Sequence, residues 1–383
     1  MKRSKFSVVC TSLSAVIVMC LLSGMAWADC GSEGCPMSDD CSLENNGMKK
    51  SAASQQVERI FIKPKALKKG DTILFVAPAG YLNEKRIKLA RKRLEEMGFI
   101  TKAASDIYRR HGYLGGTDER RAEEIMQAFV DPSVDAIFPG TGGYGTTRMI
   151  DLLDYDIIRA NPKPVVGFSD ITGLHLAIQK KAQIVTFHTP SPMYGLGSKG
   201  NLSDFSAKYF FRTLLAEQYV DTDGRKKPDG YTIELPKDKQ DEIKVLSKGK
   251  AKGKITGGNL SLIAALMGTP YEMDTKGKIL FIEDVGEKVY RLDRMFSTLK
   301  LAGKIDDAAG IVLGHFTRTE SDEDSIKMDR LLKTYFGGLD KPVIQGFWIG
   351  HHKYNASMPM GVMAELDSKT KSIRIIEDPV ILE

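Results

Sequence analysis

Cysteine is scarce and confined to one end: five occur in 383 residues, at positions 10, 20, 30, 35 and 41, and none follows. A disulfide framework is thereby excluded for the bulk of the chain. The sequence also has no HExxH, no Cys/His cluster beyond residue 41 and no P-loop lysine, so it offers no metal centre of the familiar kinds and no Walker-type phosphate loop. A dense basic block is missing too. The formal charge of +6 is spread along the chain, which argues against a nucleic-acid partner. No repeat of fixed period is found.

What is present begins with Lys2, Arg3 and Lys5, an apolar stretch over 6–22, and Ala26-Trp27-Ala28, the small-x-small pattern of a signal-peptidase site. The apolar run is short for a membrane span, so 1–28 is read as a removable signal peptide and the periplasm as the destination. Its loss takes three cations from the formal charge. Residues 29–58 are rich in Ser, Asn, Gly and acidic residues and are expected to be a disordered tether. Cys30, Cys35 and Cys41 lie in it. Cys30 follows Asp29, which does not suit a lipidation site, and the spacing of the three is not that of a CxxC pair.

From about residue 59, apolar runs alternate with helical periodicity. Thr72 to Val76 read as a strand; a helix is predicted over 84–97, capped by Asn83 and stopped by Gly98; a second opens at Asp118 and runs to about Val130. Strands are also predicted over 134–138, 164–168 and 184–187, and a helix over 204–217. This alternation predicts a parallel sheet covered on both faces. Residues 221–252, heavy in Lys, Asp, Gly and Pro, read as a linker between a domain at 59–220 and one at 253–383. The second carries strands over 278–282, 310–313 and 343–349 and helices over 259–267 and 290–301.

Three segments carry candidate chemistry. Ser169 closes the run Pro164-Val165-Val166-Gly167-Phe168 and leads through Asp170 into the helical Ile171-Thr172-Gly173-Leu174. A serine at such a corner presents its hydroxyl above a sheet edge, with free helix N–H groups nearby to hold an oxyanion. An ordinary N-cap is the alternative, since the fuller GxSxG pattern is absent. The second segment, Gly140-Thr141-Gly142-Gly143-Tyr144-Gly145, matches GxGxxG, with Asp170 as a candidate ribose-binding acid. It therefore admits a nicotinamide-dependent oxidoreductase; equally, its glycines let backbone approach a bound peptide or donate to an oxyanion. Third, Glu283 and Asp284 end an apolar strand, and His351 and His352 follow another in Gly350-His351-His352-Lys353-Tyr354-Asn355. A strand-end acid can orient a histidine that serves as base. His188, ending a further strand, either lines the same cleft or packs.

Together these segments resemble the LD-carboxypeptidase family, which includes muropeptide LD-carboxypeptidases and microcin C immunity peptidases. The resemblance spans about 64–375. It rests on Leu67-Lys68-Lys69-Gly70-Asp71, Gly142-Gly143-Tyr144-Gly145, Gly167-Phe168-Ser169-Asp170, Gly257-Gly258-Asn259-Leu260, Glu283-Asp284-Val285 with Tyr290-Arg291, and Gly350-His351 with Asn355 and Gly361. It implies an α/β fold: a flavodoxin-like parallel sheet first, then a smaller mixed β/α domain of the swivelling type. It implies Ser169 as nucleophile, His351 as base and Glu283 as orienting acid, with Asp170 and Gly143 N–H groups as oxyanion hole. Gly142, Tyr144, His188 and Arg291 are the implied substrate contacts. No cofactor or metal is implied, and homodimers are common in the family. The implied reaction is hydrolysis of the L–D peptide bond before a terminal D-alanine in peptidoglycan-derived peptides, with an immunity-type peptidase cleaving a peptide-nucleotide antibiotic as the alternative.

Overall fold

The structure, a computed structural model, describes residues 60–320 and 326–382. The expected signal peptide, tether and cysteines lie outside them. Chain order opens with β1 (Thr72–Val76), β2 (Ile100–Ala103), β3 (Ala136–Pro139), β4 (Val166–Gly167) and β5 (Thr186–His188). β1 is flanked by β2 and β3 in parallel register, and an Ile137–Val165 bridge carries the sheet on to β4 and β5. Burial along β1 and β3 is nearly continuous rather than alternating, because helices cover both faces.

The first two intervening helices begin where expected, the first at the predicted cap Asn83 and the second at Asp118, behind a cap the sequence reading did not name. Asn83 accepts the Arg86 N–H at 3.1 Å ahead of helix Glu84–Glu96, and Thr117 accepts the Arg120 N–H at 3.3 Å ahead of Asp118–Val130. Gly98, at φ +94°, lets the chain turn out of the first of these. Helix Ile171–Lys181 is different: every residue from Ile171 to Gln179 is buried. It is packed all round, which fits an apolar sequence with little amphipathic contrast.

A second sheet has eight strands. It comprises β6 (Tyr231–Ile233), β7 (Lys244–Ser247), β8 (Lys250–Asn259), β9 (Ile279–Val285), β10 (Gly310–Thr317) and β11 (Val343–Gln345), then, past β12 (Met358–Met360), β13 (Met363–Asp367) and β14 (Ser372–Ile375), in the order β6-β14-β13-β8-β9-β10-β11-β7. β8 to β11 run parallel and the flanking strands antiparallel, which makes the sheet mixed. β12 pairs antiparallel with β5, so the C-terminal part of the chain returns one strand to the first sheet.

The segment read as a linker therefore holds β6, β7 and the start of β8. Its polar composition reflects position. β6 and β7 are the two edges of the sheet, where polar residues such as Thr232 and Lys244 face solvent and only single residues, Ile233 and Ser247, are buried.

Candidate active site

β4 ends at Gly167, and two residues later Ser169 adopts φ +63° before the helix begins at Ile171. A non-glycine residue in this left-handed region costs about 1–2 kcal/mol. The strain aims the hydroxyl out of the corner, toward the ends of the second sheet's strands. There Glu283, next to last but one in β9, is fully buried, and His351 follows the loop after β11. Ser169 Oγ lies 3.0 Å from His351 Nε2, and His351 Nδ1 lies 2.7 Å from Glu283 Oε2. The same carboxylate oxygen accepts the His351 backbone N–H at 3.1 Å, so ring and backbone are fixed together.

Gly350 permits this approach. Its φ is +79°, and a side chain there would overlap the Glu283 carboxylate. Asn355 Oδ1 accepts the Gly350 N–H at 2.9 Å and holds the loop. Asn259 lies opposite Glu283 in the β8–β9 register; its amide donates to Glu283 Oε1 at 3.4 Å and to Asp284 Oδ1 at 3.1 Å. Asp284 turns the other way, onto the Ser261 N–H and hydroxyl, and burial pushes its pKa up to about 6.

Beside the nucleophile, a Cβ on Gly142 would lie 2.8 Å from Ser169 Cβ and 3.1 Å from Asp170 N, so backbone without a side chain fits there and little else. Among the described residues, neither the Asp170 nor the Gly143 N–H donates to a protein acceptor outside regular strands and helices. Both are available to a developing oxyanion. The buried guanidinium of Arg121 donates to the Pro78 and Gly145 carbonyls, tying the glycine loop to the turn after β1.

The dinucleotide reading of this loop fails on two counts. Its glycines lead into a helix of only four residues, Thr146–Met149, whose first N–H is already bonded to Asp170 Oδ2 at 2.8 Å. Asp170 itself is buried, and burial raises its pKa. Neither a free helix terminus for pyrophosphate nor an accessible acid for ribose remains.

A cleft of about 850 Å³ opens over Ser169, His351, Gly142 and Gly143. Three of the expected substrate contacts are not on its surface. His188 is fully buried between the Phe168 and Phe281 rings, covered by the pairing of Met358 with it, and burial drives its pKa far below the ordinary histidine value. Arg291 sits on the exposed face of helix Val289–Leu301 beside Glu287 at 3.6 Å. Tyr144 packs edge-on against Tyr113, and it is Tyr113 that lines the cleft. Sequence reasoning assigned no role to Asn259, Asn355 or Arg121. The first two stand in the motifs quoted above, but only the fold reveals their partners.

A Ser–His–Glu chain at a strained strand-to-helix corner, with two unbonded N–H groups beside it, defines a serine hydrolase of the α/β class. Comparison with known proteins narrows this. The N-terminal domain model of the LD-carboxypeptidases matches residues 73–189, and the C-terminal domain model matches 252–366. A Bacillus subtilis protein named probable murein peptide carboxypeptidase is 38% identical over 314 residues, covering 81% of this chain and 93% of its own. MccF, solved in complex with glutamyl sulfamoyl guanosine, superposes with a TM-score of 0.75 at 26% identity, over 83% of this chain and 99% of that one. The muramoyltetrapeptide carboxypeptidase of Oxalobacter formigenes does so with 0.67 at 29%, over 79% and 97%. The chain belongs to the LD-carboxypeptidase family. It is a serine-type carboxypeptidase.

Proposed function

We propose that the enzyme removes the terminal D-alanine from the stem peptides of peptidoglycan fragments, and that it does so in the periplasm. The observation that carries the substrate reading is the charge of the cleft: Arg86, Arg318 and Lys353 line it, and among the described residues that line it none is Asp or Glu. Such a surface favours a peptide bearing a free carboxylate close to the scissile bond. The relatives named for murein peptides support the same choice, and the signal-like residues 1–28 support export.

The chemistry follows from the geometry. Ser169 Oγ attacks the scissile carbonyl carbon while His351 Nε2 takes its proton, and Glu283 holds the Nδ1–H tautomer that leaves Nε2 free. The carbonyl oxygen becomes an oxyanion facing the Asp170 and Gly143 N–H groups. Collapse breaks the C–N bond, the histidine returns the proton to the leaving amine, and water, activated by the same histidine, releases the shortened peptide from Ser169.

Mass spectrometry of a defined muropeptide incubated with the purified enzyme tests this. Loss of one terminal alanine is expected; an intact muropeptide alongside hydrolysis of an aminoacyl sulfamoyl nucleotide would move the enzyme to the immunity class.

A further inference from the structure

We propose that Arg318 binds the carboxylate of the amino acid that leaves, an inference that rests on the carboxypeptidase reading above. In a Ser–His mechanism the proton taken from the nucleophile is handed to the leaving amine, so that amine lies against His351 Nε2. Its carboxylate is attached to the very next carbon. The cation that recognises it must therefore stand on the histidine's side of the cleft.

The three lining cations differ in this respect. Arg86 belongs to helix Glu84–Glu96, which covers the nucleophile's sheet, and its guanidinium is engaged by the Met193 carbonyl at 3.5 Å and the Tyr194 ring at 5.0 Å. Lys353 and Arg318 are both exposed, but Lys353 folds over the Tyr354 ring at 5.1 Å. Arg318 follows β10 directly, and among the described residues its side chain has no ion pair, hydrogen bond or ring partner.

The backbone that carries Arg318 is tied to the catalytic histidine. The preceding Thr317 donates its hydroxyl to the His351 carbonyl at 3.3 Å and accepts the Gly286 N–H at 2.9 Å. Arg318 itself sits at φ +53°, a conformation that non-glycine residues seldom adopt, held on its other side by the Thr319 hydroxyl on the Phe316 carbonyl at 3.1 Å. Val285, the register partner of Thr317, lines the cleft as well and offers a small apolar surface for a methyl side chain. The planar N–H fork of an arginine matches a carboxylate better than an ammonium does. His351, Arg318 and Val285 thus supply, in turn, the proton for the amine, the partner for the carboxylate and the contact for the methyl of a leaving alanine.

The test measures release of the terminal residue from a muropeptide tetrapeptide and from the same peptide amidated at its C-terminus, using wild type, Arg318→Gln and Arg318→Lys. The wild type is expected to favour the acid by roughly ten- to hundred-fold in kcat/KM, the range of a charge-assisted hydrogen bond. Arg318→Gln should lose that preference by slowing on the acid alone, mainly through KM, and Arg318→Lys should regain part of it. Equal slowing on both peptides, or an undiminished preference in Arg318→Gln, overturns the proposal. Failure of the wild type to release the terminal residue from either peptide removes the carboxypeptidase reading itself, and the anchor falls with it.

Discussion

The backbone N–H of Asn259 donates to the Thr172 hydroxyl at 3.1 Å, which joins the second sheet to the helix that follows the nucleophile. The side-chain amide of the same asparagine reaches Glu283 and Asp284. One residue thus spaces Ser169 against the acid that orients its base. Asn259→Ala is expected to lower kcat by one to two powers of ten with a smaller change in KM, and to cost about 1–3 kcal/mol of stability because buried carboxylate oxygens lose a donor. An unchanged kcat in steady-state assays would show that the spacing is set elsewhere.

The triad can be separated from its surroundings by substitution. Ser169→Ala and His351→Ala are each expected to reduce kcat by roughly 10⁶, close to one another because the members act as a unit. His352→Ala should cost far less, since His352 bonds the Tyr354 carbonyl and stacks on His315 at 4.1 Å rather than reaching the serine. Glu283→Gln should lose about 10⁴. Equal, mild losses at both histidines would refute the assignment.

Ser169 is held in a strained backbone conformation, and that strain is measurable. Glycine has no Cβ to crowd the carbonyl at φ +63°, whereas alanine keeps it. Both variants lose the hydroxyl and its bond to His351. Ser169→Gly should therefore be the more stable of the two inactive enzymes by about 1 kcal/mol in urea unfolding. An alanine variant at least as stable as the glycine one would mean that the corner is relaxed.

The glycine loop makes a different prediction. A methyl at position 142 would meet Ser169 Oγ at 3.0 Å and the Asp170 N–H side at 3.1 Å. Gly142→Ala should lower kcat by roughly 10²–10³, the size of losing an oxyanion donor, with the circular dichroism spectrum unchanged. Wild-type turnover in this variant would place the oxyanion elsewhere.

Legibility in the sequence followed locality. β1, the helix capped by Asn83 and the helix opening at Asp118 were readable because their periodicity and start signals lie within a few residues of each other. Ser169, Glu283 and His351 were readable as strand-end residues, and the family resemblance sorted them from their neighbours. The burial of His188 was not readable: it depends on β12, which arrives 170 residues later in the chain. The same holds for the short edge strands β6 and β7, which are lost in a Lys-, Asp- and Gly-rich segment that looks like linker until their partners β14 and β11 are known. Asn259 and Asn355 act across register and loop contacts that no local pattern encodes.

His175 supplies a prediction about pH. It is fully buried in helix Ile171–Lys181, its Nε2 on the Gly167 carbonyl at 3.0 Å, and burial lowers its pKa from 6.5 to about 4. Between those values the unfolded chain binds a proton here that the folded one does not, so this group's stability is complete above pH 6.5 and is lost as the pH falls toward 4. The full loss is about 3 kcal/mol for a shift of this size. His188, also depressed by burial, acts in the same direction; Asp170 and Asp284, whose pKa values burial raises, act in the opposite one and become less favourable to the fold as pH rises. The net slope of the wild type mixes these contributions, so the informative quantity is the difference from His175→Gln, which keeps a donor for the Gly167 carbonyl and does not titrate. Urea unfolding at pH 7.5 and at about pH 4 should show the wild type's advantage over this variant shrinking by about 3 kcal/mol at the lower pH. A difference that stays constant would mean that His175 binds its proton equally well in the folded and unfolded chain.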